Sequence, residues 1–168
     1  MTRVGMGPCR AIALLIATFL LRGTQGSAEE AAGGRDVNLE VAVLSATGRA
    51  EKPAFDPKVP REIKRQLEAM NLPYGRYDVV GAIQRKDAAF GAEAEFGLPE
   101  KESLVIKPSA HNTRPGLLHI GYRMLDSKKK AMLVSTMTVS YEKTFFIQRL
   151  KGADAVIMGV CAHKPGKP

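Results

Sequence analysis

From Tyr77 onward, apolar residues recur at every second position, and this period constrains the fold more than any other feature of the chain. Tyr77, Val79 and Ile83 alternate with Asp78 and Gln84. Phe90, Ala92, Ala94, Phe96 and Leu98 then alternate with Gly91, Glu93, Glu95 and Gly97, the cleanest such run. Successive strand side chains point to opposite faces, so 90–98 is predicted to be one half-buried strand. Leu104 and Ile106 continue the pattern up to Pro108, and "HNTRPG" reads as a turn. Leu118, Ile120, Tyr122 and Met124 line one face of the next strand, with His119 and Arg123 on the other. Beyond the turn "DSKKK", the segments 132–139 and 144–150 are two further strands whose buried faces the pattern leaves open. The segment 155–162, "AVIMGVCA", is apolar on both faces, as a central strand is.

Upstream of Tyr77 the period is mixed. Val37, Leu39, Val41 and Val43 alternate with Asn38, Glu40 and Ala42, which predicts a first strand over 37–46. Val59, Ile63 and Leu67 recur at helical spacing with Met70 beside them. Pro60 suits the first turn of that helix, and Asn71 tolerates the left-handed conformation of a C-cap. Pro73 and Gly75 then turn the chain back within "NLPYGRYDVVG". Tyr77 belongs to the apolar face that follows. Tyr74 is the freer ring and a candidate partner contact. The predicted fold is mainly β: about eight antiparallel strands in a sandwich or curled sheet, with one α-helix inserted after the first strand. One domain over 37–162 and a basic tail at 163–168 complete the reading.

Before this domain, Arg3 and Arg10 precede the uncharged apolar stretch 11–21, which is too short to span a bilayer. Small residues follow. The pattern is that of a signal peptide over 1–28, with a flexible leader at 29–36, and predicts export. Cleavage leaves 140 of 168 residues, enough for one core. Removing Arg3, Arg10 and Arg22 lowers 25 basic residues to 22 against 17 acidic ones, so the net charge falls from +8 to +5. That balance is compatible with an anionic partner. The absence of Trp and of aromatic residues interleaved with basic ones argues against nucleic acid. Cys161 is the single cysteine of the mature chain, which therefore has no internal disulfide.

Two pairs have the residue types of a catalytic site. Glu93 and Glu95 share a strand face, as paired carboxylates of a glycoside hydrolase would. The alternation makes that face the solvent side. Cys161 and His163 also share a face and have the chemistry of a nucleophile pair or of two metal ligands. Their position at a strand end favours a buried, inert thiol. No phosphate-binding loop, nucleophile elbow or zinc-binding spacing occurs. No catalytic, cofactor-binding or metal residue is assigned. The candidate partner contacts are Tyr74, the helix's Lys58, Arg61, Lys64 and Arg65, and the turn lysines Lys128, Lys129 and Lys130. Phe145 and Phe146 place one ring on each face of a strand, one for the core and the other for a contact or the underside of the helix.

An ordered series of short motifs runs along the domain: Leu44-Ser45-Ala46, Asp56-Pro57, Ile63 with Leu67, Pro73-Tyr74-Gly75-Arg76-Tyr77, Leu98-Pro99, Ile106-Lys107-Pro108, Thr136-Met137-Thr138-Val139 and Ala155-Val156-Ile157-Met158. In this order it resembles a family of small exported envelope domains of Gram-negative bacteria, built on an Asp-Pro helix followed by a Pro-Tyr-x-x-Tyr corner. The resemblance covers roughly 37–162. It implies a sandwich-like, non-enzymatic accessory protein, with some members accompanying trans-envelope or gliding-motility-type machinery. The leading expectation is a periplasmic interaction module that docks onto another envelope protein. The alternative is a binder of an anionic envelope ligand, namely peptidoglycan, acidic polysaccharide or lipid headgroups. A hydrolase using Glu93 and Glu95 is the third reading.

Overall fold

The computed structural model describes residues 36–111 and 114–164. The expected signal peptide, the expected leader up to residue 35 and the expected tail from residue 165 lie outside the described residues. Among the described residues, ten strands form two sheets. The larger sheet contains β1 (Asp36–Thr47), β2 (Ala54–Phe55), β3 (Arg76–Val79), β4 (Gln84–Ala89), β9 (Thr144–Lys151) and β10 (Asp154–His163). Its order is β2-β3-β1-β10-β9, with β4 also on β1. The smaller sheet runs β5 (Ala94–Gly97), β6 (Ser103–Ala110), β7 (Leu117–Leu125), β8 (Ala131–Ser140) in sequence order. Every pairing is antiparallel except β2 with β3. Helix α1 (Arg61–Met70) follows β2. The mainly β fold with one early helix is as the period predicts.

Two apolar layers hold these elements. Between the sheets, Val37, Leu39, Val41 and Val43 of β1 meet Phe96, Leu104, Ile106, Leu118 and Ile120 of the smaller sheet. On the far side of the larger sheet, Ala42, Leu44 and Ala46 of β1 and Ala155 and Ile157 of β10 pack under Ile63 and Leu67 of α1. The order is therefore helix, six-stranded sheet, four-stranded sheet. β1 and β10 are covered on both faces where the helix lies, which accounts for the doubly apolar β10. The helix reaches only the Ala42–Ala46 half of β1; Asn38 and Glu40 on the same face stay polar.

Several elements differ from the sequence expectation. The alternation over 90–98 is not one strand. A turn at Phe90–Gly91 carries the chain from β4 in one sheet to β5 in the other. Gly91 has φ +82°, a conformation that L side chains rarely adopt, and its N–H donates to the Pro108 carbonyl at 2.8 Å. The period survives because Ala88, Ala94 and Phe96 all point into the same inter-sheet core. Likewise 77–84 is split into β3 and β4, which share one flank of β1. Met70 does not join the helical stripe but is 47% exposed. Pro60 caps the helix rather than entering its first turn, and Asn71 is the left-handed C-cap with φ 48°. His163 closes β10, so the strand extends into the expected tail.

The corner after α1 is architecture. Tyr77 is fully buried and stacks on Phe55 at 4.8 Å, while Tyr74 meets it edge-on at 6.2 Å. A Cβ at Gly75 would lie 2.9 Å from backbone atoms of Arg49 and Ala50. Close approach, rather than turn conformation, is what this glycine supplies. Gly159 plays the same part under the helix: a Cβ there would lie 3.1 Å from Ile63 Cδ1 and 3.3 Å from the Phe146 ring. Phe146 thus packs beneath the helix, and Phe145 fills the inter-sheet core.

Candidate partner-binding surfaces

The basic face of α1 is largely neutralised by the helix itself. Lys64 lies 4.0 Å from Glu68 and Arg65 lies 3.7 Å from Glu62, at helical i,i+4 and i,i+3 spacing. The Lys64 ammonium also sits 5.4 Å above the Phe55 ring. Such exposed pairs are individually weak, yet each lowers the charge offered outward. Lys58 and Arg61 are exposed and form no ion pair among the described residues. The Lys58 N–H donates to the Asp56 carboxylate at 2.8 Å, a local turn that leads into the helix.

The lysine turn is built on Asp126, whose Oδ1 accepts the N–H groups of Lys128 and Lys130, each at 2.8 Å. Lys129 occupies the left-handed tip at φ 62°. Its ammonium turns back onto the smaller sheet, where it pairs with Glu95 and donates to Ser103 Oγ at 3.3 Å. The Lys129 and Ser103 hydrogen bonds hold the Glu95 carboxyl below the usual range. Lys128 and Lys130 remain exposed. This turn belongs to the four-stranded sheet, and α1 lies beyond the opposite face of the six-stranded sheet. The two basic patches therefore do not converge.

Tyr74 is buried, where the sequence leads one to expect a surface contact. Its ring is 5% exposed and its hydroxyl accepts a hydrogen bond from Gln148 Nε2 at 2.6 Å. The C-capped helix end and the close approach at Gly75 turn it inward, a long-range constraint that local composition does not reveal. Glu93 and Glu95 face solvent, as expected. Arg123 binds Glu93 at 2.5 Å and Lys129 binds Glu95. Both carboxylates are thus engaged by cations of the smaller sheet and its turn.

Cys161 and His163 do share a face, beside Glu40, which is the cross-strand partner of Cys161. With Glu62, Glu142 and Thr144 they line a pocket of about 240 Å³ near the start of α1. Desolvation, opposed by a Thr144 hydrogen bond and reinforced by the negative charges of Glu142, Glu40 and Glu62, pushes the thiol up to about 11. It is protonated at neutral pH and so is not a nucleophile there. His163 Nδ1 is engaged by Glu142 at 2.7 Å, and its Nε2 lies 4.0 Å from Glu40. Among the described residues, no three His, Cys, Asp or Glu side chains form a metal site.

The surface that sequence reasoning did not single out is the β8 edge. Met132, Leu133 and Val134 are 43%, 39% and 69% exposed. The ten residues "AMLVSTMTVS" contain neither a charge nor a proline. Beside this strand the outer face dips into a hollow of about 160 Å³, lined by Val105, Gly121, Val134 and Thr136 together with the charged Glu93, Lys107 and Arg123. The one available signal was an uncharged run of eleven residues, 131–141, in a chain with 25% charged residues. Its meaning depended on β8 lying at a sheet edge. Comparison of the chain with family models, curated proteins and solved structures finds no match.

Proposed function

We propose that this chain is a non-catalytic interaction module of the periplasm, an accessory component of a multi-protein envelope assembly of the motility or secretion kind. The observation that carries the reading is the uncharged β8 edge with its three exposed apolar residues. Exposed strand edges are templates for a further strand, and contiguous exposed apolar surface marks sites of association. The signal-like N-terminus supports export, and the resemblance to exported envelope domains supports the setting. The inert Cys161 and the cation-paired Glu93 and Glu95 weigh against a hydrolase or thiol enzyme.

Binding of an anionic glycan or membrane surface is the second reading, through Lys128 and Lys130 or through Lys58 and Arg61. Their placement on opposite sides of the six-stranded sheet divides the charge and weakens it. A photo-crosslinker placed at Val134 in intact cells tests the leading reading. A discrete protein adduct in the periplasmic fraction is expected. Absence of any protein adduct, with salt-sensitive cosedimentation on isolated cell walls, would overturn it.

A further inference from the structure

Most glycines among the described residues have a reason in the backbone: a positive φ, or a close neighbour as at Gly75 and Gly159. Gly97 ends β5, where the Gln84 amide accepts its N–H at 3.0 Å and donates to its carbonyl at 2.7 Å. Gly121 has none of these reasons. It lies in the middle of β7, flanked in the ladder by Lys107 of β6 and Thr136 of β8. A Cβ there would meet the Lys107 carbonyl at 3.7 Å and Thr136 Cγ2 at 3.9 Å, ordinary contact distances. Alanine would fit, and a glycine in a strand interior weakens the strand. Such a glycine marks a place where something else approaches the sheet.

The missing side chain leaves the floor of the hollow of about 160 Å³ on the outer face. Val105 and Val134 form its apolar walls. Val105 is only 5% exposed although it belongs to neither core, while Val134 opposite is 69% exposed. A space of about 150 Å³ holds one benzene-sized group. The charges at the rim are unbalanced. Glu93 is matched by Arg123. Lys107 forms no ion pair or side-chain hydrogen bond among the described residues. Strands β6, β7 and β8 contain no Asp or Glu. One uncompensated positive charge therefore stands beside an apolar depression.

We infer that this hollow receives one leucine- or phenylalanine-sized side chain from a segment of the partner protein, with a carboxylate of the same segment on Lys107. The inference rests on reading the β8 side of the smaller sheet as a protein-binding surface, and names what the partner presents there. The apolar group covers Val134 and takes its exposed surface out of water. The carboxylate sets orientation and partner choice, since a cation in its place would meet Lys107 as a like charge.

The probe of this chemistry is 3-phenylpropionate, which joins one ring to one carboxylate. In an NMR titration of the exported protein it should shift the backbone amides of Gly121, Val134 and Thr136, with a Kd on the order of millimolar for so small a molecule. The cation 3-phenylpropylamine should shift none of them. Lys107→Glu should exchange the two preferences. Gly121→Val should fill the hollow and abolish the response in a folded protein, since a β-branched residue suits a strand interior. Should that variant fail to fold, Gly121→Ala should bind about tenfold more weakly while melting higher than the wild type. Unmoved amides, equal binding of the amine, or a Gly121→Val or Gly121→Ala protein that binds like the wild type would each overturn the inference.

The photo-crosslinker at Val134 reads the partner itself. Its protein adduct should be lost in Gly121→Val. An adduct that persists in folded Gly121→Val removes the hollow from the contact and leaves the interaction reading standing. Absence of any adduct in the wild type defeats both, even where the probe binds, because the hollow then takes a free carboxylate.

Discussion

The two sheets of this domain solve the same burial problem to different degrees. The six-stranded sheet is covered on one face by α1 and on the other by the second sheet, and its β9 edge carries charge. The four-stranded sheet buries one face, closes one edge with Gln84 and Lys86, and leaves its outer face and the β8 edge uncovered. Two-sided cover is thereby confined to the larger sheet, while the smaller one keeps an open face and an open edge. A strand covered on both faces has nothing left to offer a partner; an edge strand has a row of unsatisfied backbone groups.

The contrast is broken most severely at Tyr77. Truncation to alanine removes a fully buried ring stacked on Phe55, and a loss of about 3–5 kcal/mol in denaturant unfolding is expected. A Tyr77→Ala variant that melts like the wild type would deny the helix side its leading role. Next, Gly159→Val would press a branched side chain against Ile63 and Phe146, at a cost of about 1–3 kcal/mol. Thermal melting of Gly159→Ala alongside it shows whether the helix can yield. Gln84→Ala removes both hydrogen bonds that close the β5 edge. Hydrogen exchange should speed up at the Gly97 amide and stay unchanged along β10.

Smaller effects follow from titration. The Glu95 carboxyl is held below its ordinary value of 4.5 by Lys129 and Ser103. A depressed carboxylate stabilises the fold above its unfolded pKa, and this contribution is lost as pH falls through the lower, folded value. Glu95→Gln should therefore be the less stable protein near pH 7, with the difference closing below pH 4.5 in paired urea titrations. Its surface exposure keeps this effect small. Last, Cys161 should be alkylated about a hundredfold more slowly than an ordinary thiol at neutral pH, because its value rises from 9.0 to about 11. Rapid labelling of the native protein would show that the pocket opens.

The two levels of description divide according to the range of the forces involved. Helix α1 and its Asn71 cap were legible because helical spacing and left-handed tolerance are local properties. The doubly apolar β10 was legible because the length of an uninterrupted apolar run reports two-sided cover directly. Phe90–Leu98 was misread as one strand because alternation records which side faces the core, not which sheet carries the chain. Ala88 and Phe96 point into one core from two sheets.

The candidate surfaces divide in the same way. That Glu93 and Glu95 face solvent followed from their alternation with Ala94 and Phe96; that each is neutralised by Arg123 and Lys129 did not, since these partners lie 30 and 34 residues away. The sequence by itself determined a β-rich domain with one capped helix early in the chain, because period and capping are set within a few residues; the short strand β2 between β1 and the helix was not legible in it. The tertiary structure alone decided that Tyr74 is inside, that the two basic patches lie on opposite sides, and that the uncharged strand β8 is an exposed edge. Those outcomes depend on strand order and register, which arise from pairing between residues distant in the chain.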